Sequence, residues 1–440
     1  MSINKSGPVY NNPVLLLQKL IGFNTTNPPG NEAECILFIN NLLQDAGVET
    51  VILESIPGRL NLVARMKGKG NSRPFLMYGH ADVVTADGQE WKYPPFEGII
   101  EDGCVWGRGA LDMKGALAMM ICAVLRVRNE GIEPPCDIIL AVVSDEENDG
   151  RLGAGYLVEH HKDLFRDVQY AIGELGGFTM HMAGKSYYPV MIAEKQRCCL
   201  RTIIKGPGGH GSIPLRNGAM AKLAYVLNRL NTGRLPVHIT PPVRQMVDSL
   251  AGHLPFPQSA VVRGLLYKAF TDRILSFMGS SGAIFEPLLH NTVNATIVRG
   301  GDRINVIPGE IVLELDGRIL PGFGPEHIIN ELKAFIGLDL EFEATSFDRG
   351  PEKVDMSLFD TLARVLQTFD PKAIPIPFVI SGVTDARFFA RLGIQTYGFT
   401  PMLLPEDLNF SKLFHAADER IPVEAVEFGT NAIFELLKRL

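Results

Sequence analysis

Apolar and polar positions along the first half of the chain alternate between two rhythms. Short, β-branched apolar runs (LNLVARM, RPFLMYG, CDIILAVVS, YAIGEL) are separated by longer stretches of helical spacing (DMKGALAMMICAVLRVRNEG, GAGYLVEHHKDLF). Strands alternating with helices of this length predict an α/β sheet, largely parallel and covered by helices. Past Lys195 the rhythm changes. Strand CCLRTIIKG, helix NGAMAKLAYVLNRL, strands TVNATIV and EIVLELDGRIL, helix PEHIINELKAFIG and strand LEFEATSF read as βαββαβ, the ferredoxin-like pattern. An apolar, Pro-containing insertion lies between roughly Arg234 and His290. The α/β rhythm then resumes with helix SLFDTLARVLQTF, a turn and strand around SGVTDARFFARLGIQTYGF, and a last helix PVEAVEFGTNAIFELLKRL. The expectation is a first domain split over residues 1–197 and 349–440, with a second domain, residues 198–348, inserted into it.

Composition narrows the class without changing that picture. At 440 residues the chain exceeds what one hydrophobic core serves, and 46% hydrophobic residues suffice for two. A formal charge of −7 and the lack of a long Lys/Arg block argue against a nucleic-acid footprint, which needs clustered positive charge, and no nucleic-acid partner is expected. The longest apolar run, GALAMMICAVL, is too short to span a bilayer, so no membrane partner is expected. The opening MSINKSGPVYNN has no charged and apolar regions of a signal peptide. The six cysteines form no C-x-x-C pair and sit mostly in apolar stretches, as buried free thiols do. A cytoplasmic location is expected.

Chemistry concentrates at the ends of the predicted strands, where open α/β sheets bind their ligands. His80 and Asp82 follow one strand, Asp145, Glu146 and Glu147 another, and Glu174 a third. Asp112 stands at the front of a long helix, where the helix dipole favours an anion. Each acid alone has a bland reading as a cap, a solvated turn or a surface group. Together they would place four to six carboxylates and a histidine on one rim, which would repel itself without a cation. Mixed carboxylate and imidazole donors suit Zn²⁺ or a similar divalent ion, with Co²⁺ or Mn²⁺ as substitutes, and two ions bridged by one acid is the economical arrangement. Of the remaining histidines His415, in the loop LFHAADERIP before the last helix, is the preferred further ligand.

The motifs GHADVV, WKYPPFEGIIEDGCVWGRGALDMKG, SDEENDGRLGAGYLV, GPGGHGSIP, NVIPGEIVLELDGR, SGVTDARFF and FHAADERIP resemble, in order, those of the co-catalytic zinc amidohydrolases. That family includes aminoacylases, carboxypeptidase S, glutamate carboxypeptidase and succinyl-diaminopimelate desuccinylase, and the WKYPPF to GRGALDMKG block looks most like the carboxypeptidase S branch. The resemblance implies His80, Asp112 and Glu174 as ligands of one zinc and Asp112, Glu147 and His415 as ligands of the other, with Asp112 bridging. It implies Asp82 as the group accepting the other ring N–H of His80, and Glu146 as general base and then acid. It implies an inserted lid and dimerisation domain whose His210 donates to the oxyanion in the partner subunit's site, with Asn305 and Arg318 lining that site. Gly382 matches the glycine that receives the substrate carboxylate.

Two positions depart from the family pattern. Val383 stands where many members carry a second glycine or a Ser/Thr. The arginine that grips the substrate carboxylate has no clean counterpart, with Lys195, Arg197 and Arg349 as neighbours of the expected positions. The expected activity is hydrolysis of the amide of an N-acyl amino acid or small peptide with a free carboxylate, by a homodimer carrying two zinc ions per chain. A strict dipeptidase or carboxypeptidase, and a catalytically silent homologue that binds metal and a peptide-like ligand, are the alternatives; the intact Glu146 argues against the silent one.

Overall fold

The structure is a computed structural model that describes residues 12–351 and 353–440. The amino-terminal stretch that carried part of the location argument lies, but for Asn12, outside them. The strands that matter are β1 (Glu49–Ile56), β2 (Arg59–Met66), β3 (Phe75–His80), β4 (Ile138–Val143), β5 (Tyr170–Gly173), β6 (Lys185–Glu194), β7 (Gln196–Lys205), β8 (Thr292–Arg299), β9 (Glu310–Ile319), β10 (Phe342–Phe347), β11 (Ile374–Ile380) and β12 (Gln395–Gly398). The chain divides into two compact units. One holds the residues up to Ile192 together with Val354–Phe378 and Thr384–Leu440, and the other holds Ala193–Lys353 with Val379–Val383.

The first unit carries a nine-stranded sheet in the order β1-β2-β4-β3-β5-β12-β6-β11, with Met180–Met182 paired to β6. Its centre, β4-β3-β5-β12, is parallel, as the alternating rhythm predicts. Strands β3 and β4 are buried at every position, which is why they read as unbroken apolar runs rather than alternating ones. Antiparallel pairing begins outside the centre, where β1 and β2 form a hairpin and β2 pairs with β4. The Lys114–Asn129 helix is buried from Lys114 through Leu125. It packs on β3, on the Pro13–Ile21 helix and on the C-terminal Val423–Arg439 helix, and so needs no polar face along most of its length. The Pro13–Ile21 helix carries its own start signals, Pro13 in the first turn and the Asn12 side chain accepting from the Leu15 N–H at 2.9 Å.

In the second unit four strands form a sheet in the order β8-β9-β7-β10. With the Ala219–Thr232 and Pro325–Ile336 helices this is the expected βαββαβ arrangement, and its three strand pairs are antiparallel. Strand β9 alternates buried and half-buried positions, and its inward Ile311, Leu313, Leu315 and Ile319 meet Ile328, Leu332 and Ile336 of one helix and Leu223 and Val226 of the other. The apolar insertion is helical, with Pro241–His253, Gln258–Gly264 and Lys268–Met278 as its longer helices. Lys195, a residue near the expected carboxylate grip, is fully buried here. Its ammonium donates to the main-chain carbonyls of Pro287 and His290 and to the Thr292 hydroxyl, each at 2.8 Å, so its three protons tie down the end of the insertion. No helix of the described residues is long and apolar enough to cross a membrane. All six cysteines are free, four of them buried.

Candidate metal centre

Parallel neighbours β4, β3 and β5 end on the same side of the sheet, and that alone gathers residues scattered along the sequence. His80 is the last residue of β3, in register with Val143 at the end of β4. The chain leaves β4 through Ser144 into Asp145, Glu146 and Glu147, and leaves β5 into Glu174. Asp145 and Leu175 sit at φ 71° and 62°, left-handed values that turn the chain sharply beside Glu146 and Glu174. Asp112 does not cap the helix that follows it. The cap position is Met113, without a side-chain bond, and the Asp112 carboxylate points elsewhere.

That carboxylate faces two histidines. Its Oδ1 lies 3.1 Å from His80 Nε2, and its Oδ2 lies 3.2 Å from His415 Nε2. Glu174 Oε2 is 3.6 Å from the same His80 nitrogen, and Glu147 Oε2 is 3.1 Å from the same His415 nitrogen. Donor atoms of His80, Glu146 and Glu174 lie within 4.8 Å of one another, as do those of His80, Asp112 and Glu147. Glu147 Oε1 is buried and meets no hydrogen-bond donor among the described residues. His415, itself at φ 63°, reaches in from the loop before the C-terminal helix with its side chain 45% exposed.

The protein's own groups show the strain of this crowding. Burial, and then the Asp112 carboxylate, push Glu147 up to about 7. Burial and the neighbouring Glu174 carboxylate push Glu146 well above the usual range, and burial raises Glu174. Burial opposes a charge on Asp112, yet the imidazoles of His415 and His80 hold it well below the usual range. Hydrogen bonds to Asp112 and Glu147 push His415 up to about 10. The cluster therefore retains protons where it would otherwise hold a cation; a divalent ion would reverse the upward shifts of Glu146, Glu147, Glu174 and His415 and keep Asp112 ionised. Carboxylate and imidazole donors on two sides of one acid, with an orphaned buried oxygen beside them, fit two divalent ions.

The structure changes the expected part played by Asp82. His80 Nδ1 is bonded at 3.0 Å to the main-chain carbonyl of Asp82, while the Asp82 carboxylate stands 3.6 Å away. A carbonyl only accepts, so Nδ1 carries a proton there, and Nε2 is the nitrogen turned toward the acids and toward any ion held between them. The tautomer is set by the main chain of Asp82 rather than its side chain. The carboxylate is occupied by three other donors: the Glu146 N–H on Oδ1, and the Glu147 N–H and Asn27 Nδ2 on Oδ2. It thus fixes the turn that carries Glu146 and Glu147.

Several contributors escaped the sequence reading. Asn27 holds Asp82 and also reaches Asp145, and Arg59 links Asp145 to Glu32 in a buried ion pair. Arg108 and Glu419 pair in full burial beside Asp112. Asp385 is buried with neither carboxylate oxygen meeting a donor among the described residues, and burial pushes it up to about 8. Arg108, Asp385 and Glu419 stand inside the motifs GRGALDMKG, SGVTDARFF and FHAADERIP; Asn27 and Arg59 carried no local signal.

The other expected site residues belong to the second unit. His210 pairs with Val306, and the Gly211 N–H donates to the Asn305 carbonyl, so His210 and Asn305 share one small ribbon. The Ser212 N–H donates to His210 Nδ1, which leaves the proton on Nε2 and makes His210 a donor to whatever it faces. Arg318 on β9 is bonded through Nε and NH2 to both carboxylate oxygens of Asp316. Gly382 is exposed, and a Cβ added there would meet nothing within 4 Å.

Residues 76–439 match the model of peptidase family M20/M25/M40. The chain belongs to this family. As a member of peptidase family M20/M25/M40 it is a metallohydrolase, and the matched residues include the strand ends and the His415 loop described above. The chain is 27% identical over 401 residues to the N-fatty-acyl-amino acid synthase/hydrolase PM20D1 of Bos taurus, covering 88% of this chain and 78% of that protein. It is 27% identical over 406 residues to a probable carboxypeptidase S-like 2 of Dictyostelium discoideum, covering 87% and 75%. Among solved structures, the M20 family metallo-carboxypeptidase Sso-CP2 of Sulfolobus solfataricus has the same fold, with a TM-score of 0.69 at 18% identity over 97% of this chain and 98% of that one.

Proposed function

We propose that this metallohydrolase carries two zinc ions and cleaves the amide bond of N-acyl amino acids, or of small peptides, that end in a free carboxylate. The observation that carries the reading is the divergence of Asp112: one oxygen toward His80 and Glu174, the other toward His415 and Glu147. One acid set between two imidazoles is what a bridged pair of ions requires. His80, Asp112 and Glu174 would hold one ion and Asp112, Glu147 and His415 the other. When bound, such ions supply Lewis acidity that polarises a carbonyl and brings the pKa of water toward neutrality.

The protein's own groups do the rest. Glu146 is half-buried, its main chain fixed by Asp82, and its carboxylate reaches the His80–Glu174 side. It takes the proton of the attacking water and returns it to the leaving amine, acting as base and then acid. His210 carries its proton on Nε2 and donates to the oxyanion, in the site of the partner subunit of a homodimer. Asn305 and Arg318 line that site and Gly382 receives the substrate carboxylate; the open space around Gly382 suits a close approach. The similarity to an N-fatty-acyl-amino acid hydrolase and to a carboxypeptidase S-like protein supports this substrate class, and six free cysteines support a cytoplasmic setting.

The deciding experiment incubates the protein, with Zn²⁺ or with a chelator, against a panel of N-acyl amino acids and dipeptides and reads products by mass spectrometry. Metal-dependent release of free amino acid from N-acyl substrates is expected. Cleavage of dipeptides alone would replace the N-acyl reading with a strict dipeptidase, and no product from any member with two ions bound would overturn the enzymatic reading.

A further inference from the structure

Asp112 and His415 are more than three hundred residues apart in the chain, yet their side chains meet, with Asp112 Oδ2 3.2 Å from His415 Nε2. Some device has to hold the two loops in register. Resting on the two-metal reading, we propose that Glu419 is that device: a positioning residue that clamps the loop presenting His415 to the loop presenting Asp112, with Arg108 as its counterion.

Glu419 is fully buried, and both of its oxygens are doubly used. Oε1 accepts the main-chain N–H of Leu111 at 2.7 Å and of Asp112 at 3.0 Å. Oε2 accepts the Gly109 N–H at 3.0 Å and Arg108 NH1 at 2.8 Å. The main chain joins in, with the Gly107 N–H donating to the Glu419 carbonyl at 2.9 Å and Arg420–Pro422 pairing antiparallel with Cys104–Trp106. Arg108, 1% exposed, completes the clamp from the other side. It donates to the carbonyls of Ala416 and His415 at 3.1 and 3.4 Å and to Gln89 Oε1 at 2.7 Å, while Gln89 Nε2 donates to the His415 carbonyl at 3.0 Å.

His415 needs this support more than the other ligands do. His80, Glu147 and Glu174 leave or end strands of the central sheet, whereas His415 lies in a loop at φ 63° with a half-exposed ring. A buried carboxylate that takes three backbone N–H groups from one loop can hold that loop only while it remains an acceptor on both oxygens. Glutamine at 419 keeps the shape but turns one oxygen into a donor facing N–H groups. The side of the centre that depends on His415 should then loosen, while the His80–Glu174 side, built on β3 and β5, holds.

The test is a titration of metal-free protein with Zn²⁺, with bound metal counted after dialysis, for wild type, Glu419→Gln and His415→Ala. Wild type retaining fewer than two ions would refute the two-metal reading itself. Given two in wild type, Glu419→Gln should follow His415→Ala: one ion retained near wild-type affinity, the other weakened by about tenfold or more, the scale on which contacts behind metal ligands act. Two ions held within about threefold of wild-type affinity would overturn the proposal. So would loss of both ions from a chain still folded by circular dichroism, since a general structural role would not choose between the sites. If Glu419→Gln does not fold, Arg108→Lys takes its place under the same criteria, because one ammonium cannot reach both Glu419 and Gln89.

Discussion

Glu146 and Glu147 are sequence neighbours with opposite assignments, and the geometry makes the difference measurable. Glu147 faces His415, whereas Glu146 stands on the His80–Glu174 side. Glu147→Ala should lose an ion by metal analysis. Glu146→Ala should keep both and lose turnover by about 10²–10⁴-fold, the contribution of a positioned general base. Retention of even a tenth of wild-type turnover in Glu146→Ala would remove it from that role. Asp112→Asn is the harsher change, since an amide cannot present an anionic oxygen to both His80 and His415. Metal content should fall for both sites together, and full occupancy of either in that variant would speak against the bridge.

The turn after β4 is held by side chains from three separate segments: Asp82 behind Glu146 and Glu147, Asn27 across Asp82 and Asp145, and Arg59 between Asp145 and Glu32. Arg59→Leu would leave two buried carboxylates without their cation, which costs about 3–5 kcal/mol in comparable buried pairs. Urea unfolding at pH 8 should show it. The loss should shrink as pH falls below 7, because Glu32, pushed up to about 7 by burial and by the Asp82 charge, then takes a proton and no longer needs the guanidinium. An unchanged midpoint at pH 8 would mean that the pair is not held in the protein. Period and composition located the strands on which these side chains stand, because buried parallel strands are unbroken apolar runs. They could not locate the network, because Asn27 and Arg59 acquire their partners only when the Asn27 loop and β2 are brought to the end of β4.

For the molecule as a whole, the metal-free chain should lose stability as pH rises. Glu147 at about 7 and His415 at about 10 both sit above their unfolded values, so each contributes stability that is complete below the unfolded value and lost as pH rises through the folded one. The unfolding temperature of chelator-treated protein should therefore fall between pH 5 and pH 8, and the increase on adding Zn²⁺ should grow over the same range as ligands deprotonate. A metal-free unfolding temperature that rises with pH would contradict the cluster. If His210 serves the partner's site, inactive His210→Ala and Glu146→Ala homodimers refolded together should recover up to about a quarter of wild-type activity, because half the dimers are mixed and each rebuilds one of two sites. No recovery despite proven subunit exchange would place His210 elsewhere.

The order of elements, the α/β class with its ferredoxin-like insertion, and the residue types capable of holding a divalent ion were set by local pattern. Each depends on side-chain periodicity or on strand-end position, which survive in one dimension. What the tertiary structure decided are the relations between segments far apart in the chain. Asp112 turns its two oxygens to different histidines, the tautomer of His80 comes from the carbonyl of Asp82 rather than its carboxylate, and Glu419 reaches back to the main chain of Asp112. The physical reason is common to all three: a hydrogen bond is directional over about 3 Å, and the distance between residues 112 and 415 is set by the packing of the sheet and its helices, to which no single stretch of the sequence refers.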